Sequence, residues 1–130
     1  MILTVDLDNE VPIYQQLRDQ VVEAIAVGEL RPGSPLPATR ALAADSGINF
    51  HTVNKAYDLL RREGLIRLNR KTGAVVTVPD PHPSFPADWA ARAKTLLAEA
   101  VAKGMPTEEL LATCRSVIDS FANNELEDNS

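Results

Sequence analysis

The sequence predicts a mainly α-helical chain with one small β wing, followed by a short two-helix segment. Three observations predict it. Apolar residues recur at helical spacing in three successive segments of the first half, and two β-prone runs around a glycine follow them. Pro79, Pro81, Pro83 and Pro86 then separate that half from two further helical patterns. The expected boundaries are a first domain over residues 1–78, a proline-rich linker over 79–86, a two-helix segment over 87–122, and a disordered acidic tail over 123–130.

The first helix starts at Pro12, a residue suited to a first turn, and shows one apolar face through Ile13, Leu17, Val21, Ala24 and Ile25. Gly28 ends it, and the Gly/Pro-dense stretch 28–35 reads as a loop. Pro37 opens a second, short helix through about Asp45, anchored by Leu42. Gly47 makes a tight turn, and Asn49 caps a third helix with Thr52 at its third position. Val53, Ala56, Tyr57 and Leu60 fall on one face of that helix, which ends near Glu63-Gly64. Residues 65–69 and 74–78 form the hairpin, with Arg70, Lys71, Thr72 and Gly73 at its tip. Beyond the linker, one helix runs from about Ala87 to Lys103, Gly104 breaks it, and Pro106-Thr107-Glu108-Glu109 starts another.

Net charge sharpens the functional question. The 130-residue chain carries −5, which by itself argues against a nucleic-acid binder. The charge is unevenly placed. Residues 1–78 hold nine basic and nine acidic side chains, whereas 79–130 hold four against nine. Within 40–71 the balance is seven basic to three acidic. Binding to phosphate needs a local basic face, not a basic chain.

Other classes fit poorly. No apolar run approaches the roughly 18–20 residues that cross a bilayer, so no membrane role is expected. The acidic N-terminus lacks the basic region of a signal peptide, and the single Cys114 sits in an apolar helical pattern as a small core residue, so a cytoplasmic location is expected. His51 and His82 have no partners at metal-ligand spacing, and no nucleophile–base pair or phosphate-cradling loop is present. The reading is therefore no metal, no cofactor and no enzyme.

Helix, short helix, glycine turn, helix, hairpin is the order of a winged helix-turn-helix. Such a fold places the N-terminal residues of its third helix against base edges in a major groove. Here those are Phe50, His51, Thr52, Asn54 and Lys55. Asn pairs bidentately with adenine, and Thr or Phe touches a thymine methyl. Phe50 has two readings: an apolar contact to sugar or thymine methyl, or a residue tucked against helix 2. Arg70 and Lys71 at the wing tip would straddle the DNA backbone or enter the minor groove.

The stretches Pro12-Ile13-Tyr14-Gln15-Gln16-Leu17, Gly28-Glu29-Leu30-Arg31-Pro32-Gly33, Leu36-Pro37-Ala38-Thr39-Arg40-Ala41-Leu42-Ala43, Thr52-Val53 and Glu63-Gly64-Leu65-Ile66 resemble the GntR family of bacterial regulators over residues 10–78. The two short C-terminal helices resemble its YtrA-type subfamily. The resemblance implies DNA contacts at Arg40, at the start of the third helix, and in the wing near Thr72 and Gly73. Phe50 and His51 depart from the residues common there, which leaves the operator sequence open.

The expected function is a sequence-specific regulator, a repressor, that binds a palindromic double-stranded operator as a homodimer. Trp89, Leu96, Leu97, Leu110, Leu111, Val117, Ile118 and Phe121 give the C-terminal helices more apolar surface than a two-helix hairpin buries on itself, which marks them as the dimerisation surface. Two alternatives are a winged-helix protein-interaction module and a ligand sensor. The first needs no basic recognition face. The second lacks room for the roughly 300 Å³ of an enclosed pocket, so a small-molecule effector would bind at the dimer interface. A GntR-like chain fused to an aminotransferase-like domain needs far more residues than these.

Overall fold

The computed structural model describes residues 3–69, 73–80 and 82–128, with side chains through residue 122. The elements run α1 (Ile13–Ala26), α2 (Thr39–Ser46), α3 (Phe50–Arg62), β1 (Ile66–Asn69), β2 (Gly73–Val76), α4 (Phe85–Ala102) and α5 (Thr107–Asp128). They form two compact units, Met1–Pro79 and Asp80–Ser130.

The first unit is built around α3. Val53 and Leu60 are fully buried, and Ala56 and Tyr57 complete the same face at helical spacing. Leu17, Val21 and Ala24 of α1 and Leu42 and Ala43 of α2 close the core against it. Asn49 caps α3 by accepting the His51 backbone N–H at 2.7 Å, so the bond goes to the second helical residue. Gly47 takes the left-handed conformation (φ 67°) that lets α2 stop and the chain turn into α3.

Three expected boundaries shift, each for a physical reason. Pro12 precedes α1 instead of lying in its first turn, and its carbonyl accepts the Gln15 and Gln16 amides at 3.0 Å. Helix α2 begins at Thr39, not Pro37. Ala38 is extended (ψ 144°), and the Pro37 carbonyl faces α3, where it accepts the Tyr57 hydroxyl at 2.7 Å. The stretch 28–35 is not wholly a loop. Pro35 bridges Val75, Gly33 N–H donates to Val76 (2.8 Å), and Leu36 N–H donates to Ala74 (2.9 Å). Strand β2 therefore has a neighbour on each side, β1 and this segment. Ala74, Val75 and Val76 are all buried, without the alternation of a strand that has one face in water.

Thr4 and Asp6 are also tied down. Gln20 clamps Thr4, accepting its N–H at 2.8 Å and donating to its carbonyl at 2.6 Å. Gln16, one turn earlier, does the same for Asp6, each bond at 2.9 Å. Leu3 and Val5 pack against the core from there. Two glutamines at i and i+4 on α1 thus act as the edge of a strand would.

The second unit is a hairpin of α4 and α5. Helix α4 starts at Phe85 with Pro86 in its first turn, so the last linker proline is helical; a first-turn proline leaves no intrahelical bond unmade. Helix α5 extends to Asp128, past the boundary expected at 122, through a Glu125-Leu126-Glu127 stretch of good helix formers. Neither helix has a fully buried side chain through residue 122. No described helix is long and apolar enough to cross a membrane.

Candidate nucleic-acid interface

The outward side of α3 follows from its inward side. With Val53, Ala56, Tyr57 and Leu60 inside, His51, Lys55, Asp58, Arg61 and Arg62 are exposed, and Thr52 and Asn54 are half-buried. The helix opens with Phe50, His51 and Thr52, whose amides add the positive end of the helix dipole.

Arg40, the second residue of α2, is exposed beside this helix end. Its guanidinium carbon lies 4.5 Å from the centre of the Phe50 ring. The His51 ring is tilted at 60° to Phe50, with centroids 5.5 Å apart. The structure thus brings Arg40, Phe50 and His51 together. Phe50 is half-buried and packs against the core cluster, with Arg40 of α2 over its ring. On the other flank, Lys55 Nζ sits 4.1 Å from the centre of the Tyr14 ring on α1. Tyr14 has no place among the sequence-derived site residues. The signal for it was present, an aromatic one position after Ile13 on the inward face of α1.

Charge pairing divides the remaining cations. Arg61 is held by Asp58 at 2.8 Å, which offsets its charge. Arg18 binds Glu63 through two nitrogens, Nε at 2.9 Å and Nη2 at 2.5 Å, and also reaches Asp19. The Glu63 carboxylate, followed by Asp19, holds the Arg18 guanidinium charged well above the ordinary arginine range, against the opposing effect of partial burial. That pair fastens α1 to the end of α3. Arg40, Lys55, Arg62 and Arg67 are exposed and make no ion pair among the described residues.

The wing returns to α3 through Thr77, whose hydroxyl donates to the Gly64 carbonyl at 2.7 Å and whose N–H donates to Leu65 at 2.9 Å. Gly73 opens β2, exposed and with φ +79°, opposite Asn69. Arg70, Lys71 and Thr72 lie outside the described residues.

In the second unit, Trp89, Leu96, Leu97, Leu111, Val117 and Ile118 are exposed, from 41% for Leu97 to 70% for Leu96, and Leu110 and Phe121 are half-buried. All eight line one groove between α4 and α5 except Leu111. Cys114, half-buried, lines it too. The groove measures about 860 Å³. It is an open groove and not an enclosed pocket.

Residues 13–76 match the family described as bacterial regulatory proteins, gntR family. Over 117 residues the chain is 32% identical to the HTH-type transcriptional regulator Rv1152 of Mycobacterium tuberculosis, covering 90% of this chain and 94% of that one. The chain belongs to the GntR family. This GntR chain is also 37% identical over 75 residues to the HTH-type transcriptional repressor YtrA of Bacillus subtilis, covering 58% of each. Among solved structures it is similar to YtrA of Sulfolobus acidocaldarius, a GntR-family transcription factor, with 38% identity and a TM-score of 0.63 over 78% of this chain and 99% of that one. It is a YtrA-like GntR regulator: a winged helix-turn-helix with a short helical C-terminal segment, DNA-binding and not enzymatic.

Proposed function

We propose that this regulator represses transcription by occupying a two-fold symmetric operator as a homodimer, with α3 in the major groove. The observation that carries the DNA-binding half is the exposed end of α3. There His51, Thr52 and Asn54 stand between Arg40 and Lys55, cations with no ion pair among the described residues. In this reading His51, Thr52 and Asn54 address base edges. Arg40 and Lys55 hold phosphates beside the helix, and Arg70, Lys71, Thr72 and Gly73 do so from the wing.

The apolar face of α4 and α5 supports the dimer. Eight large apolar side chains of this hairpin are exposed among the described residues, surface that water disfavours and a second copy would cover. The acidic balance of residues 79–130 suits a segment kept away from DNA. Repression is supported by the repressor name of the Bacillus relative.

The experiment titrates the full chain against the duplex upstream of its own gene and against random DNA, with light scattering in parallel. The expected result is a dimer at micromolar concentration that prefers the symmetric site. Ile118→Asp places a charge on the apolar face. It should give a monomer whose operator affinity falls by roughly 10²–10⁴ because linkage of the two heads is lost. A monomeric wild type, or equal affinity for both duplexes, refutes the proposal. A second reading adds an apolar effector to the same unit, supported by the 860 Å³ groove, which lies within the range of small-molecule sites. It requires that such a ligand bind the wild-type protein and change its operator affinity.

A further inference from the structure

Two cations beside the exposed end of α3 lie over aromatic rings and not against carboxylates. Arg40 is 4.5 Å from the centre of Phe50, and Lys55 is 4.1 Å from the centre of Tyr14. Neither has an ion pair among the described residues, in contrast to Arg18 and Arg61. Both rings are half-buried and packed against the core cluster, so each is a fixed platform with a cation on its outer side.

A long cationic side chain that contacts a phosphate loses rotamer freedom on binding, and holding it beforehand reduces that loss. A carboxylate would hold it too, but would cancel the charge the phosphate needs, as Asp58 does for Arg61. An aromatic face attracts the cation through its quadrupole and carries no net charge. The guanidinium donors lie in its plane and stay free for an oxygen when the plane is covered.

We infer that Phe50 and Tyr14 are positioning residues, which hold Arg40 and Lys55 at full charge where they meet DNA phosphates. This rests on the DNA-binding reading above. It assigns Phe50, the first residue of the recognition helix, a task other than reading bases. It also gives the Tyr14 of the Pro12-Ile13-Tyr14 motif a task in binding that its place on α1 conceals. The Phe50 ring also touches the His51 ring, so the same platform fixes the first base-facing side chain relative to Arg40.

The test uses the full chain and two double-mutant cycles: Phe50→Leu with Arg40→Ala, and Tyr14→Leu with Lys55→Ala. Each protein is titrated with its own upstream duplex and with random DNA across a salt series, after thermal denaturation shows it folded. Arg40→Ala and Lys55→Ala should each weaken both duplexes and lower the salt slope by about one. Leucine keeps the apolar packing but not the ring, so Phe50→Leu and Tyr14→Leu should weaken both duplexes by about two- to fivefold. In those backgrounds the alanine change should cost less by the same factor. Phe50→Tyr should restore wild-type affinity. In the free protein the Arg40 δ-protons should be shifted upfield by the ring and lose that shift in Phe50→Leu, a readout independent of DNA.

If Arg40→Ala costs the same with and without the ring, the inference is wrong. It is equally wrong if Phe50→Leu weakens only the specific duplex, which would make Phe50 a base reader. If both alanine variants bind as wild type, the DNA-binding reading itself fails and the inference falls with it. Should Phe50→Leu unfold the domain, the Tyr14–Lys55 cycle and the Arg40 proton shifts in the wild type decide.

Discussion

Replacing Tyr57 with Phe removes one hydroxyl from the centre of the DNA-binding unit and almost no volume. Tyr57 is 7% exposed on the inner face of α3, and its hydroxyl donates to the Pro37 carbonyl at 2.7 Å. That bond ties Pro37, two residues before α2, to α3. A neutral hydrogen bond contributes about 0.5–1.5 kcal/mol net. Pro37 is exposed, so water can satisfy its carbonyl in the variant, which points to the lower half of that range. The expected loss is about 0.5–1 kcal/mol at pH 7, or roughly 2–8 °C in Tm for a unit of this size. Alkali supplies a second signature. Burial pushes the Tyr57 phenol up from 10.0 to about 12. Between those values the unfolded chain releases a proton that the folded chain retains. Stability from this group is therefore whole below pH 10 and is lost as pH rises towards 12. Phenylalanine has no such proton, so the gap between wild type and Tyr57→Phe should narrow from pH 7 to pH 11. Urea denaturation at both pH values measures it. A variant as stable as wild type at pH 7, or a gap unchanged at pH 11, would refute the reasoning.

Other expectations follow from the same geometry. Asn54→Ala and His51→Ala should each lower affinity for the operator by about 1–3 kcal/mol and relax preference at one base pair, with little change on random DNA; binding across single-base operator variants measures this. Gly64→Ala should destabilise the first unit by about 1–2 kcal/mol, because Gly64 has φ +77° and an added Cβ would meet Pro79 Cβ at 3.2 Å; a thermal melt at or above wild type would show that the turn relaxes. Arg18→Met should cost about 1 kcal/mol in a urea melt, since it keeps the stem and removes the forked bond to Glu63.

Periodicity made much of this chain readable in advance. The inward faces of α1 and α3 follow from Leu17, Val21 and Ala24 and from Val53, Ala56, Tyr57 and Leu60, because a helix buries whatever repeats at 3.6 residues. Once those are inside, the outward placement of His51 and Lys55 is geometry and needs no further information. Asn49 as a cap and Gly47 as a turn are equally local. The exposed apolar face of the C-terminal hairpin was legible too, from the count of large side chains against the number of helices available to cover them.

What the sequence by itself determined, then, was everything set by neighbours a few residues away: helix faces, caps, the hairpin, and the basic stretch within 40–71 of an acidic chain. Tertiary structure decided what depended on distant partners. No local signal says that Pro35 will lie beside Val75, or that Gln16 and Gln20 will clamp the chain at Asp6 and Thr4. Nor does one say that Phe50 will slide under Arg40, or Tyr14 under Lys55 across 41 positions of sequence. Pairing energies of this kind depend on distances between elements, and those distances exist only once α1, α2 and α3 have closed on a common core.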